Sequence, residues 1–102
     1  MKNQQKYDVK ERPLNATEMG ILTELSLKSG LNFKPLMVVM YERHTPRTTV
    51  CTIFLADGYD LFAQRIVGVT MRSRNDKEDP EIGRQWAFRR ALEDYIERMQ
   101  KK

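Results

Sequence analysis

The dipeptide Asp57-Gly58 stands between two runs rich in β-branched and aromatic residues, "HTPRTTVCTIFLAD" and "ADGYDLFAQRIVGVTM". A two-residue hairpin turn needs positive φ at both central positions, which favours Asp-Gly, so the two runs are expected to pair antiparallel. A third run, "FKPLMVVMYER" from Phe33 to Arg43, precedes them, and Pro46 marks the turn between it and the next. Three adjacent strands joined by short turns read as one antiparallel meander.

Helical punctuation brackets the meander. In "PLNATEMGILTELSLKSGL" Pro13 comes first, Asn15 is placed to cap the N-terminus with Glu18 three residues on, and Gly30 follows the last turn. Met19, Ile21, Leu22 and Leu25 share one arc of the helical wheel, with Glu24 and Lys28 at its edge; Leu27 points away. The second helix begins near Pro80, with Asp79 before it as a cap and Glu81 near the positive end of the helix dipole. There Phe88, Ala91, Leu92, Tyr95, Ile96 and Met99 form the core stripe, while Trp86 falls on the polar side with Arg89, Arg90, Glu93, Asp94 and Glu97. The fold class expected is α+β: an α-β-β-β-α two-layer sandwich, a three-stranded antiparallel sheet with both helices on one face. Residues 1–12 are polar and aperiodic and read as a flexible tail, and residues 13–102 as one domain.

No apolar stretch approaches the roughly 20 residues that span a bilayer, and "MKNQQKYDVKERP" lacks the apolar segment of a signal peptide. A cytoplasmic protein without membrane contact is expected. Eighteen Lys and Arg against fourteen Asp and Glu leave +4, which favours a polyanionic partner without demanding one. Chemistry is poorly represented. One His, one Cys, and no Gly-rich phosphate loop, nucleophile elbow or zinc-ligand set argue against an enzyme, and no cofactor, metal or small-molecule substrate is expected. Cys51 lies in an apolar run and reads as a buried small hydrophobe. Asp57 and Asp60 flank a turn, where carboxylates are common for conformational reasons.

The order helix, three strands, helix is that of the double-stranded-RNA-binding domain (dsRBD). "ILTELSLKSGL" resembles that family's first helix, with its aliphatic pair, Glu, Leu and Lys-x-Gly exit, and "GRQWAFRRAL" resembles its last-helix run. The resemblance spans about residues 13–99 and implies contact with an A-form backbone at the first helix, the first inter-strand loop and the N-terminus of the last helix. Carried over, Glu24 matches the first-helix Glu, His44 the loop His, and Arg84 the final basic residue of the Lys-Lys-x-Ala-Lys motif. The other two lysine positions are Pro80 and Glu81 here, Glu42-Arg43 stands where the family has Gly-Pro, and the loop before the last helix is lengthened by "RSRNDKED". Arg72 and Arg74 in that loop offer replacement cations for phosphate contacts. The strand-loop-helix run also resembles the C-terminal part of short bacteriophage and mobile-element proteins, which implies a bacterial or phage-infected host cell.

Two classes of partner follow. In one, a nucleic-acid backbone meets Glu24, His44, Arg72, Arg74 and Arg84. In the other, the fold serves protein contact through Leu27, Trp86 and Arg90, as a homodimer or as a phage-encoded inhibitor of a host defence factor such as a CRISPR nuclease. A large apolar residue on a polar helix face, such as Trp86, is either covered by the chain's own N-terminal segment or anchors an interface. For Arg89 and Arg90, ion pairs with the acids one turn on compete with phosphate contact.

Overall fold

The computed structural model describes residues 7–30, 37–45, 47–57, 60–71 and 80–100. In chain order these form β1 (Tyr7–Pro13), α1 (Ala16–Ser29), β2 (Met37–Thr45), β3 (Thr48–Asp57), β4 (Asp60–Met71) and α2 (Pro80–Gln100). The fold is α+β, with two helices among the described residues and one antiparallel sheet ordered β1-β2-β3-β4. The meander expected from the sequence is present as β2, β3 and β4. The β3–β4 hairpin pairs Asp57 with Asp60, while Gly58 and Tyr59, which close it, lie outside the described residues.

Four strands replace the expected three. Residues 7–13 were expected mainly as aperiodic tail, yet they pair with β2. Their polar pattern suits an edge strand, which gains backbone hydrogen bonds on one side only and leaves charged side chains in water. Two register shifts, between Tyr7 and Val9 and between Val9 and Arg12, break the alternation of period two that would have marked the strand in sequence.

One face of the sheet carries the core. Val39, Ile53 and Ile66 form one cross-strand row, and Tyr41, Cys51 and Gly68 the next. Leu22 and Leu25 of α1 and Ala87, Phe88, Ala91, Leu92 and Ile96 of α2 close over these rows, so both helices share that face. Phe88, Leu92, Ile53 and Tyr41 are fully buried, the condition under which truncation to Ala costs most. The α1 caps match the sequence: Asn15 and Glu18 make a capping box, and Gly30 ends the helix at φ 76°. Pro80 starts α2 as expected; Asp79, its expected cap, lies outside the described residues. Two residues placed on the core arcs are exposed instead, Met19 at 42% and Met99 at 39%. In α1 the adjacent Glu18 takes the buried place, because its carboxylate finds partners beneath the helix.

The helices run side by side in the same direction. Glu24 meets Arg89 at mid-length, and Gln100 Nε2 donates to the Ser29 carbonyl near the C-terminal ends. The sequence favoured ion pairs within α2 for Arg89, but its main partner lies on α1, with Glu93 at 3.9 Å a lesser one. Gly68 sets the seat of α2. A Cβ there would overlap the Ala87 carbonyl oxygen and the Ala91 nitrogen and lie 2.8 Å from the Ala91 Cα.

Candidate functional site

The capping box turns Glu18 inward. Asn15 Oδ1 accepts from the Glu18 backbone N–H at 2.8 Å, and Glu18 Oε1 accepts from the Asn15 N–H at 2.9 Å. The same carboxylate accepts Arg12 Nη1 and Nη2 from β1 at 2.7 and 3.0 Å and the Tyr41 hydroxyl from β2 at 2.5 Å. The Arg12 guanidinium also stands 5.9 Å from the centre of the Tyr41 ring, within cation–π range. Burial alone would raise the Glu18 carboxyl; hydrogen bonds from Arg12, Tyr41 and the Asn15 backbone hold it below its ordinary value. Burial pushes the Tyr41 phenol and the neighbouring Cys51 thiol well up. A carboxylate this fully occupied is a poor general base, so the cluster reads as a clamp joining β1, α1 and β2.

Above the clamp lies a cleft of about 230 Å³. Arg12 of β1, the capping Asn15, Thr17 and Glu18 of α1, Tyr41 of β2, and Glu81, Arg84 and Gln85 of α2 line it. Both helices therefore begin at this end of the molecule, each presenting the positive end of its dipole. The β2–β3 turn reaches the same end. Gly83 packs on Thr49, whose Oγ1 would lie 3.2 Å from an added Cβ, and Thr49 pairs with Arg43. The Thr45 hydroxyl donates to Thr48 Oγ1 at 2.8 Å and accepts the Arg47 N–H at 3.2 Å, which holds Arg47 at the turn. Arg12 and Arg84 thus share the cleft with Glu18 and Glu81, and Glu18 is engaged by Arg12; Arg43 and Arg47 belong to the neighbouring end of β2 and its turn.

The residues expected to function are only partly brought together. Arg84 lies in the cleft. Glu24, about two turns further along α1, accepts from Arg89 at 2.9 and 3.3 Å and lies 3.5 Å from Lys28; Arg89 above all lowers its carboxyl. His44 belongs to β2, with its side chain outside the described set, and Arg72 and Arg74 lie outside the described residues altogether. Leu27 is 81% and Trp86 53% exposed, and Arg90 is exposed as well. With Glu24 abreast of Arg89, Leu27 and Trp86 stand roughly 9 Å apart along the helix pair. The described N-terminal segment is bound to β2 and leaves Trp86 open.

The sequence reading missed Arg12, Tyr41 and Arg47 at this end. A signal existed for Arg12 and Tyr41: a buried capping Glu needs donors, and both lie in flanking elements. Among the described residues no group of three His, Cys, Asp or Glu could hold a metal ion, and no helix is long and apolar enough to cross a membrane. Set against known proteins, the chain matches no family model, no curated protein and no solved structure.

Proposed function

We propose that this chain is a non-enzymatic binding protein that docks on a nucleic-acid backbone with the end at which both helices begin. One observation carries the reading: Arg12 and Arg84 line one cleft where both helices begin, and the β2–β3 turn, with Arg43 opposite Thr49 and Arg47 at its tip, lies next to the start of α2. A helix N-terminus and a guanidinium group both favour phosphate, the first through oriented N–H groups and the second through bidentate hydrogen bonding; with Arg12 held by Glu18 and the start of α1 capped by Asn15, the start of α2 and Arg84 are the groups this end offers. The element order from α1 to α2, with both helices on one sheet face, agrees with the order implied by the resemblance to double-stranded-RNA-binding domains and supports this reading. In this reading β1 is an addition that clamps the start of α1.

Glu24 is held by Arg89, and Pro80 and Glu81 occupy two positions that are lysine in that family, so the contact is carried by the arginines of this end. The test is a shift assay of labelled RNA and DNA duplexes across a salt series. Binding that weakens steeply with salt and is lost in Arg84→Glu and Arg47→Glu supports the reading. Absence of any shift at low salt overturns it.

A further inference from the structure

Both faces of the sheet are apolar. Side chains alternate between the faces along each strand, and the cross-strand register assigns them. Val39, Ile53 and Ile66 lie under the helices. The other face therefore carries four rows across β2, β3 and β4: Val38, Phe54 and Arg65; Met40, Thr52 and Val67; Glu42, Val50 and Val69; and Thr48 with Met71. Apart from the two threonines, Glu42 and Arg65, every side chain in these rows is apolar. An antiparallel sheet with one solvated face alternates apolar and polar residues, whereas near-continuous runs such as "MVVM" and "IVGV" belong to strands covered on both faces. Among the described residues no element lies over these rows, and Val67, Val69 and Met71 are 48, 47 and 66% exposed there.

We infer that this face docks on the same face of a second copy of the chain, sheet against sheet, about a two-fold axis that crosses the strands at Thr52. Charge argues for a second copy. Glu42 on β2 and Arg65 on β4 stand at opposite corners of the patch, one row to either side of Thr52, and neither forms an ion pair among the described residues. Turning the face over about that axis lays the row Glu42, Val50 and Val69 of one copy on the row Val38, Phe54 and Arg65 of the other. Each Arg65 then shares a row with Glu42 of the other copy, about 10 Å across in sheets about 10 Å apart, a gap that these two long side chains close. The patch is thus its own complement, as a two-fold contact requires. An axis along the strands would instead leave the opposite charges at opposite ends of the contact, and a hydrocarbon surface would bury both without partners.

Packing and area agree with this occupant. Phe54 of each copy lies over Val50 of the other, and Met40 and Val67 gather around Thr52 at the centre. Four strands about 4.8 Å apart and four rows about 6.8 Å apart give roughly 500 Å² of flat face per copy, so a pair covers about 1,000 Å², the lower bound for a specific interface. The association expected is accordingly micromolar.

This face is turned away from both helices, so the inference is independent of the proposed nucleic-acid contact and is tested without nucleic acid. Sedimentation equilibrium of the full chain should show a monomer–dimer equilibrium. Val67→Lys, in the middle row, should raise the dissociation constant about a hundredfold, and Leu27→Lys should leave it unchanged. Arg65→Glu and Glu42→Arg should each raise it about tenfold, and the two changes in one chain should restore it. Val67 and Arg65 are exposed, so their variants should keep the circular dichroism of the parent. A monomer at about 500 µM, well above a micromolar dissociation constant, overturns the inference. So does a dimer that survives Val67→Lys, or a pair of charge reversals whose losses add in the double variant.

Discussion

Arg12 in β1 and Glu18 in α1 are joined by two guanidinium–carboxylate hydrogen bonds, and this pair ties the edge strand to the helix that follows it. The Glu18 side chain is 4% exposed and that of Arg12 31%. Removing the arginine would leave the carboxylate buried with two donors lost. Arg12→Ala should therefore cost about 2 kcal/mol, less than a fully buried pair because water reaches the guanidinium. Urea unfolding followed by circular dichroism measures the loss, and faster amide exchange confined to β1 would locate it.

The same carboxylate makes stability depend on pH. Its partners hold Glu18 below the ordinary carboxyl value, so the folded state binds a proton less readily than the unfolded chain. The Glu18 contribution is complete above the unfolded value, about 4.3, and fades as pH falls through the lower folded value. Glu18→Gln should be less stable than the parent at pH 7 and lose less on acidification to pH 3. Equal losses in both proteins across that range would show that Glu18 does not govern the acid limb.

Gly68 offers a sharper test of the fold. Around it lie backbone atoms of Ala87 and Ala91, which cannot rotate aside as a side chain could. Gly68→Ala must lift α2 from β4 and strip contacts from Phe88 and Leu92, a cost of about 3 kcal/mol or more. Gly20→Ala is the control: nothing stands within 4 Å of the added Cβ, and a helix interior gains from alanine by about 0.5–1 kcal/mol. Thermal melts of the two variants should move in opposite directions.

These residues also show what the sequence made legible. Asn15, Glu18 and Gly30 act locally, within one helical turn, and their capping roles could be read directly. The β3–β4 hairpin and the start of α2 at Pro80 rest on equally local chemistry. β1 did not show itself because an edge strand is specified by backbone pairing with residues 25 to 35 positions away, and its bulges erase the side-chain alternation. Glu18 was read as a cap, yet the Tyr41 hydroxyl that buries it comes from another element. At the candidate cleft, Arg84 was expected from the resemblance of its helix to a family motif, whereas Arg12 lines the same cleft only because β1 pairs with β2 and its guanidinium reaches Glu18 at the start of α1.

Cys51 gives a direct reading of global unfolding. It is fully buried between β2 and β4, and burial raises its thiol far above the ordinary range. The native thiol should resist an aromatic disulfide reagent at pH 8, and its labelling rate should follow the unfolded fraction as urea is added. Rapid labelling without denaturant would mean that the β2–β3–β4 core opens locally.

Trp86, the single tryptophan, tests on which side of α2 the proposed contact lies. It is half-exposed and stands about 200° round the helix from Arg84, so it faces away from the cleft that Arg84 lines. Its emission should be red-shifted and readily quenched by acrylamide in the free protein. Trp86→Ala should cost about 1–2 kcal/mol, since roughly half of the indole is covered. A duplex docked at the cleft should leave the emission and its quenching nearly unchanged, while Arg84→Glu abolishes the shift in a gel. Protection of the indole on titration would instead place the contact on the outer face of α2 and leave Arg84 outside it.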